Sequence, residues 1–265
     1  MDINNFMYFK ESFIENSLLI FGKKILMNRI FIFDLLLMLI AVDKPKWISS
    51  FDVIRVLKRE LWEKRIWHSG TLDPMATWLM IIWTGDDTKR LNNLIWLDKT
   101  YETIIDFSKK SDTWDMWYRD YYEEIDVKWK EISFGDIKSK LDLIVPEYEL
   151  PLTPFSAKKK DWKKLYDLAR KWEQIIENRL MKTYGYEVLD YNFPQLKLRL
   201  DVGSWTYIRS IWHWLWEEFW LWWILTMLRR IRVDEYELLK ISLNKEWTFF
   251  RKEWDDISFK YWIIW

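Results

Sequence analysis

The stretch that decides the reading of this chain is His68-Ser69-Gly70-Thr71-Leu72-Asp73-Pro74-Met75-Ala76-Thr77. One carboxylate, Asp73, stands between an apolar Leu72 and Pro74. Proline disfavours the helical region for the residue before it, so Asp73 belongs to an extended or turn conformation. Gly, Pro and Thr around a single acid describe a rigid loop that presents a carboxylate. The same pattern also suits an Asp whose side chain only closes a local turn, and at this level both readings stand.

Outward from the loop the chain alternates between strand and helix patterns. Leu79–Trp83 is an apolar run of strand length. Leu39–Val42 is another, ending at Asp43-Lys44-Pro45. Ser49 or Ser50 can cap a helix whose apolar face is Val53, Ile54, Leu57 and Leu61. Asp86–Leu94 reads as a helix opening on acidic residues. Tyr101, Thr103, Ile105 and Phe107 alternate with Glu102, Ile104 and Asp106. Leu196, Leu198, Leu200 and Val202 alternate with Gln195, Lys197, Arg199 and Asp201, the cleanest strand in the chain. Strands and helices interleave without a strict βαβ rhythm, which predicts an α+β domain.

Three further segments carry candidate chemistry. Gly203-Ser204-Trp205-Thr206-Tyr207-Ile208-Arg209 follows the clean strand, and Arg209 is placed either to pair with a buried carboxylate or to face solvent at a helix start. Asp98-Lys99-Thr100-Tyr101 opens a strand, where the Tyr101 ring is either half-buried core or a stacking surface for a planar ligand. Residues 156–182 hold nine Lys/Arg against four acids, which describes a solvated face or a phosphate-tracking patch.

Composition limits the choices. Lys+Arg and Asp+Glu both number 41 among 265 residues, so no global field points to a nucleic acid. Cys is absent and His numbers 2, which excludes thiolate chemistry and argues against a His-built metal site. Catalysis therefore falls to carboxylates, hydroxyls, Tyr or Arg. Residues 1–37 read as an extension or a mis-set start, with Met38 a natural alternative beginning. The apolar run Ile30–Val42 is interrupted by Asp34 and is shorter than a bilayer span.

Taken in order, these segments resemble the bacterial tRNA pseudouridine-55 synthase family, TruB. Asp43-Lys44-Pro45-Lys46-Trp47-Ile48-Ser49-Ser50 resembles its opening DKPxGxSS motif, and Ile66–Trp78 its GHxGTLDPxAxG signature. Leu97–Glu102, Pro154–Ala157 with the Lys run leading to Tyr166, Trp205–Arg209 and Leu228-Arg229-Arg230 fall where the family has DKxYE, PxYSAxKxxGxxxY, GTYIR and LRR. The resemblance implies a pseudouridine synthase fold, with a mixed, mostly antiparallel central sheet flanked by helices and an active-site cleft across it. It implies that residues 38–265 are the catalytic domain, with no complete C-terminal RNA-binding domain.

The residue roles follow from the same resemblance. Asp73 is implied as the catalytic carboxylate, attacking C1′ or acting through a glycal. Tyr101 is implied to stack on the flipped base and help remove the C5 proton, and Arg209 to pair with Asp73. Tyr207 and Leu228 would line the base pocket, His68 would sit near the extruded nucleotide, and Lys44 would be structural or RNA-facing. The substrate implied is the T arm of tRNA at uridine 55. No metal and no cofactor are implied, since isomerising a nucleoside requires neither a redox step nor activated water. The expected setting is a cytoplasmic monomer without a membrane partner. Rival readings are a non-catalytic RNA-binding or tRNA-folding protein on the same scaffold, and a membrane-associated protein anchored through residues 18–42.

One departure from the family pattern is systematic. The chain has 22 Trp and only 6 Gly, although glycine ordinarily makes up about 7% of residues. Trp stands where the family usually or often has Gly at positions 47, 62, 67, 78, 83, 96, 162, 172, 205, 216, 220, 222 and 223. Drift does not replace one residue type by one other at thirteen aligned places. The pattern is that of UGA codons translated as Trp where the cell reads Gly. Glycine at such turns permits positive φ or close backbone approach, which Trp cannot copy.

Overall fold

The structure, a computed structural model, describes residues 39–61, 63–85, 95–111, 113–116, 122–128, 131–152, 159–160, 163–164, 177–237, 247–249 and 259–264. All of them fall in one compact unit, Met38–Trp265. The expected helix over 86–94, residues 1–37, and most of the Pro154–Tyr166 motif and of the basic segment lie outside the described residues.

The strands in chain order are β1 (Leu39–Lys44), β2 (Ile66–His68), β3 (Thr77–Thr84), β4 (Lys99–Asp106), β5 (Lys109–Lys110), β6 (Glu123–Glu124) and β7 (Glu147–Pro151). They continue with β8 (Lys159–Lys160), β9 (Lys163–Lys164), β10 (Asn178–Asn192), β11 (Gln195–Val202) and β12 (Ile224–Val233). The last three are β13 (Tyr236–Glu237), β14 (Trp247–Phe249) and β15 (Phe259–Ile264). Helices α1 (Ser50–Glu60), α2 (Phe134–Leu141) and α3 (Ile208–Phe219) lie between them.

Eleven strands join one sheet in the order β14-β15-β1-β3-β12-β4-β11-β10-β7, with β13 added to β12 and β2 to β3. Among the described strands the pairing is antiparallel except where β12 meets β3 in parallel, Arg229 opposite Thr77 and Arg230 opposite Trp78. This is the expected α+β fold with a mixed, mostly antiparallel central sheet. No helix among the described residues is long and apolar enough to cross a membrane.

The residue patterns explain the layers. β1 and β3 are apolar on both faces, and Ile40, Ala41, Val42, Leu79, Met80, Ile81 and Ile82 are all 0% exposed, as strands covered on both sides require. In β11 the alternation foreseen from the sequence is realised, with Leu196, Leu198, Leu200 and Val202 fully buried. Register partners share a face, so Tyr101, Leu200 and Arg230 form one row on the buried side of the sheet, and Thr103, Leu198 and Leu228 the next. Helix α3 lies over that side, where buried Trp212 donates its indole N–H to Thr103 Oγ1 at 3.2 Å. On the opposite side Arg199 bridges Glu102 at 2.9 Å. Tyr101 is therefore buried, and the Arg199–Glu102 pair lies across the sheet from it.

Helix α1 begins as its sequence dictates. Ser49 is the N-cap: its Oγ accepts the Asp52 N–H at 3.1 Å, while Asp52 accepts the Ser49 N–H at 2.9 Å. The helix buries Val53, Ile54, Val56 and Leu57, and Leu61 terminates it as the C-cap. We expect Ser49→Ala to lower stability by about 1 kcal/mol, the usual worth of a capping side chain. A thermal or urea melt of the variant against the parent chain checks this.

Candidate active site

The Asp73 loop joins β2 to β3 and is held at nearly every backbone position. Ser69 N–H reaches Ile81 O at 2.9 Å, and Ala76 N–H closes a turn on Asp73 O at 2.9 Å. Ser50, at the first turn of α1, accepts Leu72 N–H at 2.8 Å and donates its hydroxyl to Leu72 O at 3.1 Å. Trp47 N–H donates to Pro74 O at 2.8 Å. Leu72, Met75 and Ala76 are buried. Apolar anchors on both sides of Asp73 thus point inward, while its own side chain stays 30% exposed. The sequence expectation of a rigid loop presenting one carboxylate matches this geometry.

Beneath the loop lies Lys44, the last residue of β1, which is 0% exposed. Its ammonium donates to Pro45 O at 2.9 Å, Pro74 O at 3.0 Å and Ala76 O at 2.6 Å. Burial, with the nearby Arg230 charge adding to it and Asp73 opposing, lowers its pKa to about 7. Of the two alternatives held for Lys44, structural or RNA-facing, the buried position corresponds to the structural one.

Arg209, in the first turn of α3, supplies the partner. Its Nη2 lies 3.0 Å from Asp73 Oδ1, although the two residues are 136 apart in sequence. The guanidinium side chain is 4% exposed, and Nη1 donates to Thr113 O at 3.1 Å and sits 3.8 Å from Asp115 Oδ2. Burial alone would lower its pKa, but the Asp73 and Asp115 carboxylates outweigh that and raise it. The guanidinium is a fixed cation at every working pH. A charge-assisted pair of this kind fixes direction as well as distance.

His68, at the end of β2, accepts the Gly70 N–H on Nδ1 at 3.3 Å. Burial and the Arg230 charge lower its pKa to about 4, so its imidazole is neutral at physiological pH. Tyr101 and Leu228 are placed by register on the buried face, in the rows described above. Tyr207 lies just before α3, its N–H directed at Met181 Sδ at 3.4 Å.

Two residues of the site had no role assigned from sequence. Arg230 belongs to the closing Leu-Arg-Arg motif, but nothing in that motif says that it is 1% exposed. It donates from Nε to Leu79 O at 2.8 Å and from Nη2 to Gly70 O at 3.3 Å, tying β12 to both flanks of the loop. Asp115 lies in a polar segment that reads as solvated loop, yet it is 2% exposed behind Arg209. Only its position in space distinguishes it from the other acids.

Trp residues crowd this centre in an unusual backbone state. Among the described residues six non-glycine positions have positive φ, and five are Trp: Trp47 (72°), Trp78 (79°), Trp114 (63°), Trp205 (70°) and Trp220 (55°). The first four stand beside the Asp73 loop, the Arg209 partners or the start of α3.

Both histidines carry a testable consequence. His68 and His213 have folded pKa values of about 4, the latter through burial alone, against 6.5 ordinarily. The unfolded chain binds these protons first, so the stability conferred is complete above pH 6.5 and is lost as pH falls toward 4. We expect the imidazole proton resonances not to titrate between pH 8 and 5, and the thermal midpoint to fall on acidification below 6.5. NMR titration with parallel melts checks both.

Comparison with known proteins agrees with the geometry. Residues 58–208 match the family model described as TruB family pseudouridylate synthase (N terminal domain). Similar curated proteins include tRNA pseudouridine synthase B of Fusobacterium nucleatum, 34% identical over 201 residues that make up 76% of this chain and 69% of that protein. The protein of the same name from Opitutus terrae is 34% identical, covering 75% of this chain and 82% of the relative. That from Chlamydia pneumoniae is 32% identical, with 76% and 84% covered. Among solved structures, a Cbf5-Nop10-Gar1 complex matches with a TM-score of 0.58 at 20% identity, over 77% of this chain and 50% of that one. An H/ACA RNP bound to a substrate RNA containing 2′-deoxyuridine matches with a TM-score of 0.56 at 19% identity, over 79% and 51%. These two share the fold with this chain, which spans about half of their length. With the matched residues covering the Asp73 loop, the Tyr101 strand and the approach to Arg209, the chain belongs to the TruB family of pseudouridylate synthases.

Proposed function

We propose that this protein is a tRNA pseudouridine synthase, isomerising uridine 55 of the T arm. The observation that carries the reading is the Asp73–Arg209 pair at 3.0 Å, an exposed carboxylate oriented by a buried guanidinium. In the proposed reaction Asp73 acts at C1′ while the N1–C1′ bond breaks. The uracil turns, C5 joins C1′, the C5 proton leaves and N1 takes up a proton. Atoms and electrons balance within the substrate. Tyr101 stacks on the flipped base and assists proton removal, while Tyr207 and Leu228 complete an apolar pocket that offsets the cost of unstacking. Neutral His68 stands near the extruded nucleotide, and Lys44 holds the loop. Recognition of the folded arm rests on shape and phosphate contacts, with residues 156–182 as the basic surface. The protein works as a cytoplasmic monomer.

The same proposal includes the identity of its Trp residues: at most of the thirteen aligned positions the native residue is Gly, encoded by UGA. An L-residue in the left-handed region costs roughly 1–2 kcal/mol, and domains have only about 5–15 kcal/mol of total stability. Trp47, Trp78, Trp205 and Trp220 hold φ values of 55–79°, the conformation in which only glycine is free of that cost. Trp220 and Trp67, 80% and 53% exposed, show large apolar rings to solvent, which glycine would remove.

Two outcomes are expected. Asp73→Asn, in a chain carrying Gly at the aligned sites, forms no pseudouridine in transcribed tRNA yet binds that tRNA; persisting product would end the catalytic assignment. Genomic codons at positions 67, 78 and 205 read UGA, and UGG at all three removes the recoding.

A further inference from the structure

Position 114 is not among the thirteen places where Trp stands for a family glycine, yet Trp114 shares their backbone, with φ at 63°. It lies between Thr113 and Asp115, the two residues that face Arg209 Nη1, at 3.1 Å from the Thr113 carbonyl and 3.8 Å from Asp115 Oδ2. Both flanks are fixed. The Trp114 N–H closes a turn on Ser111 O at 3.2 Å, and its carbonyl accepts Leu225 N–H at 3.1 Å. Met116 N–H then returns to Leu225 O at 3.1 Å, and Thr113 Oγ1 holds Asp115 Oδ1 at 2.8 Å. With the turn on one side and β12 on the other, the left-handed bend at 114 is what turns the Thr113 carbonyl and the Asp115 carboxylate, one residue on either side of it, toward one guanidinium nitrogen. The indole is laid over His213, 3.9 Å between ring centroids, and plays no part in that convergence.

We infer that position 114 carries glycine in the native protein, and that this glycine is a positioning residue which sets Arg209 and, through it, Asp73. The inference rests on the recoding and on the pairing proposed above. The same backbone criterion separates the other Trp residues. Trp212 lies inside helix α3, is 1% exposed and donates to Thr103 Oγ1, so it is a true Trp encoded by UGG.

Peptide mass spectrometry of the protein from its native cells reads these claims in one digest. The expected result is Gly at 47, 78, 114 and 205 with Trp at 212. Trp at 114 alongside Gly at 47, 78 and 205 overturns this inference and leaves the recoding intact, whereas Trp at all four overturns both. The pivot itself is read in a chain with Gly at the aligned sites, comparing Trp114→Gly, Trp114→Asn, Trp114→Ala and Trp114→Val. Tolerance of the left-handed region falls from Gly through Asn to Ala and Val, an order that side-chain volume does not follow. We expect kcat on tRNA to fall in that order, about tenfold from Gly to Ala, while Kd for tRNA changes less than about twofold. A kcat for Ala equal to that for Gly, or above that for Asn, overturns the pivot.

Discussion

A guanidinium that is 4% exposed cannot be held in a protein without carboxylates to meet it, and this constraint organises the centre of the molecule. Arg209 is reached from three directions: by Asp73 on the loop before β3, by Thr113 O, and by Asp115 beside β12. Removing a partner from such a group leaves a buried charge uncompensated, which costs far more than the pair itself contributes. Asp73 therefore has two tasks. Its oxygen facing Arg209 is structural, and the remainder of the carboxylate stays open to solvent. The second task depends on the first for direction.

The loop beneath Asp73 repeats that logic with backbone groups. Lys44 is buried and donates to three carbonyls, while Arg230 donates to those of Leu79 and Gly70. Each charge would be expensive alone. Each is acceptable because it holds carbonyls that a tight loop cannot satisfy internally. The loop that carries Asp73 is thus preorganised by two cations, Lys44 and Arg230, that do not pair with the carboxylate itself.

Much of this was legible in the sequence, and the reasons differ from place to place. The strand 195–202 could be read because alternation is a strictly local signal, and the Ser49 cap because its partners are three residues away. The Asp73 loop could be recognised because Pro74 restricts the residue before it, while Gly70 admits a turn that other residues resist. The burial of Lys44, Arg230 and Asp115 could not be read, since a charged residue carries no mark of what will cover it. Likewise the sequence alone could not say which Trp residues share a glycine's backbone. Trp114 and Trp212 both stand outside the thirteen aligned positions, and φ and the hydrogen bond to Thr103 separate them.

The parallel contact between β3 and β12 has a consequence in time. Arg230 reaches Leu79 across 151 residues of chain, and Arg209 reaches Asp73 across 136. Contacts between such distant segments form late, because a long loop must close before they repay its entropy. During synthesis the carboxylate loop emerges long before the residues that aim it. A nascent chain that has not released β12 from the ribosome already has the Lys44 and Ser50 contacts to its carboxylate loop, but lacks the Arg230 ties that join that loop to the sheet.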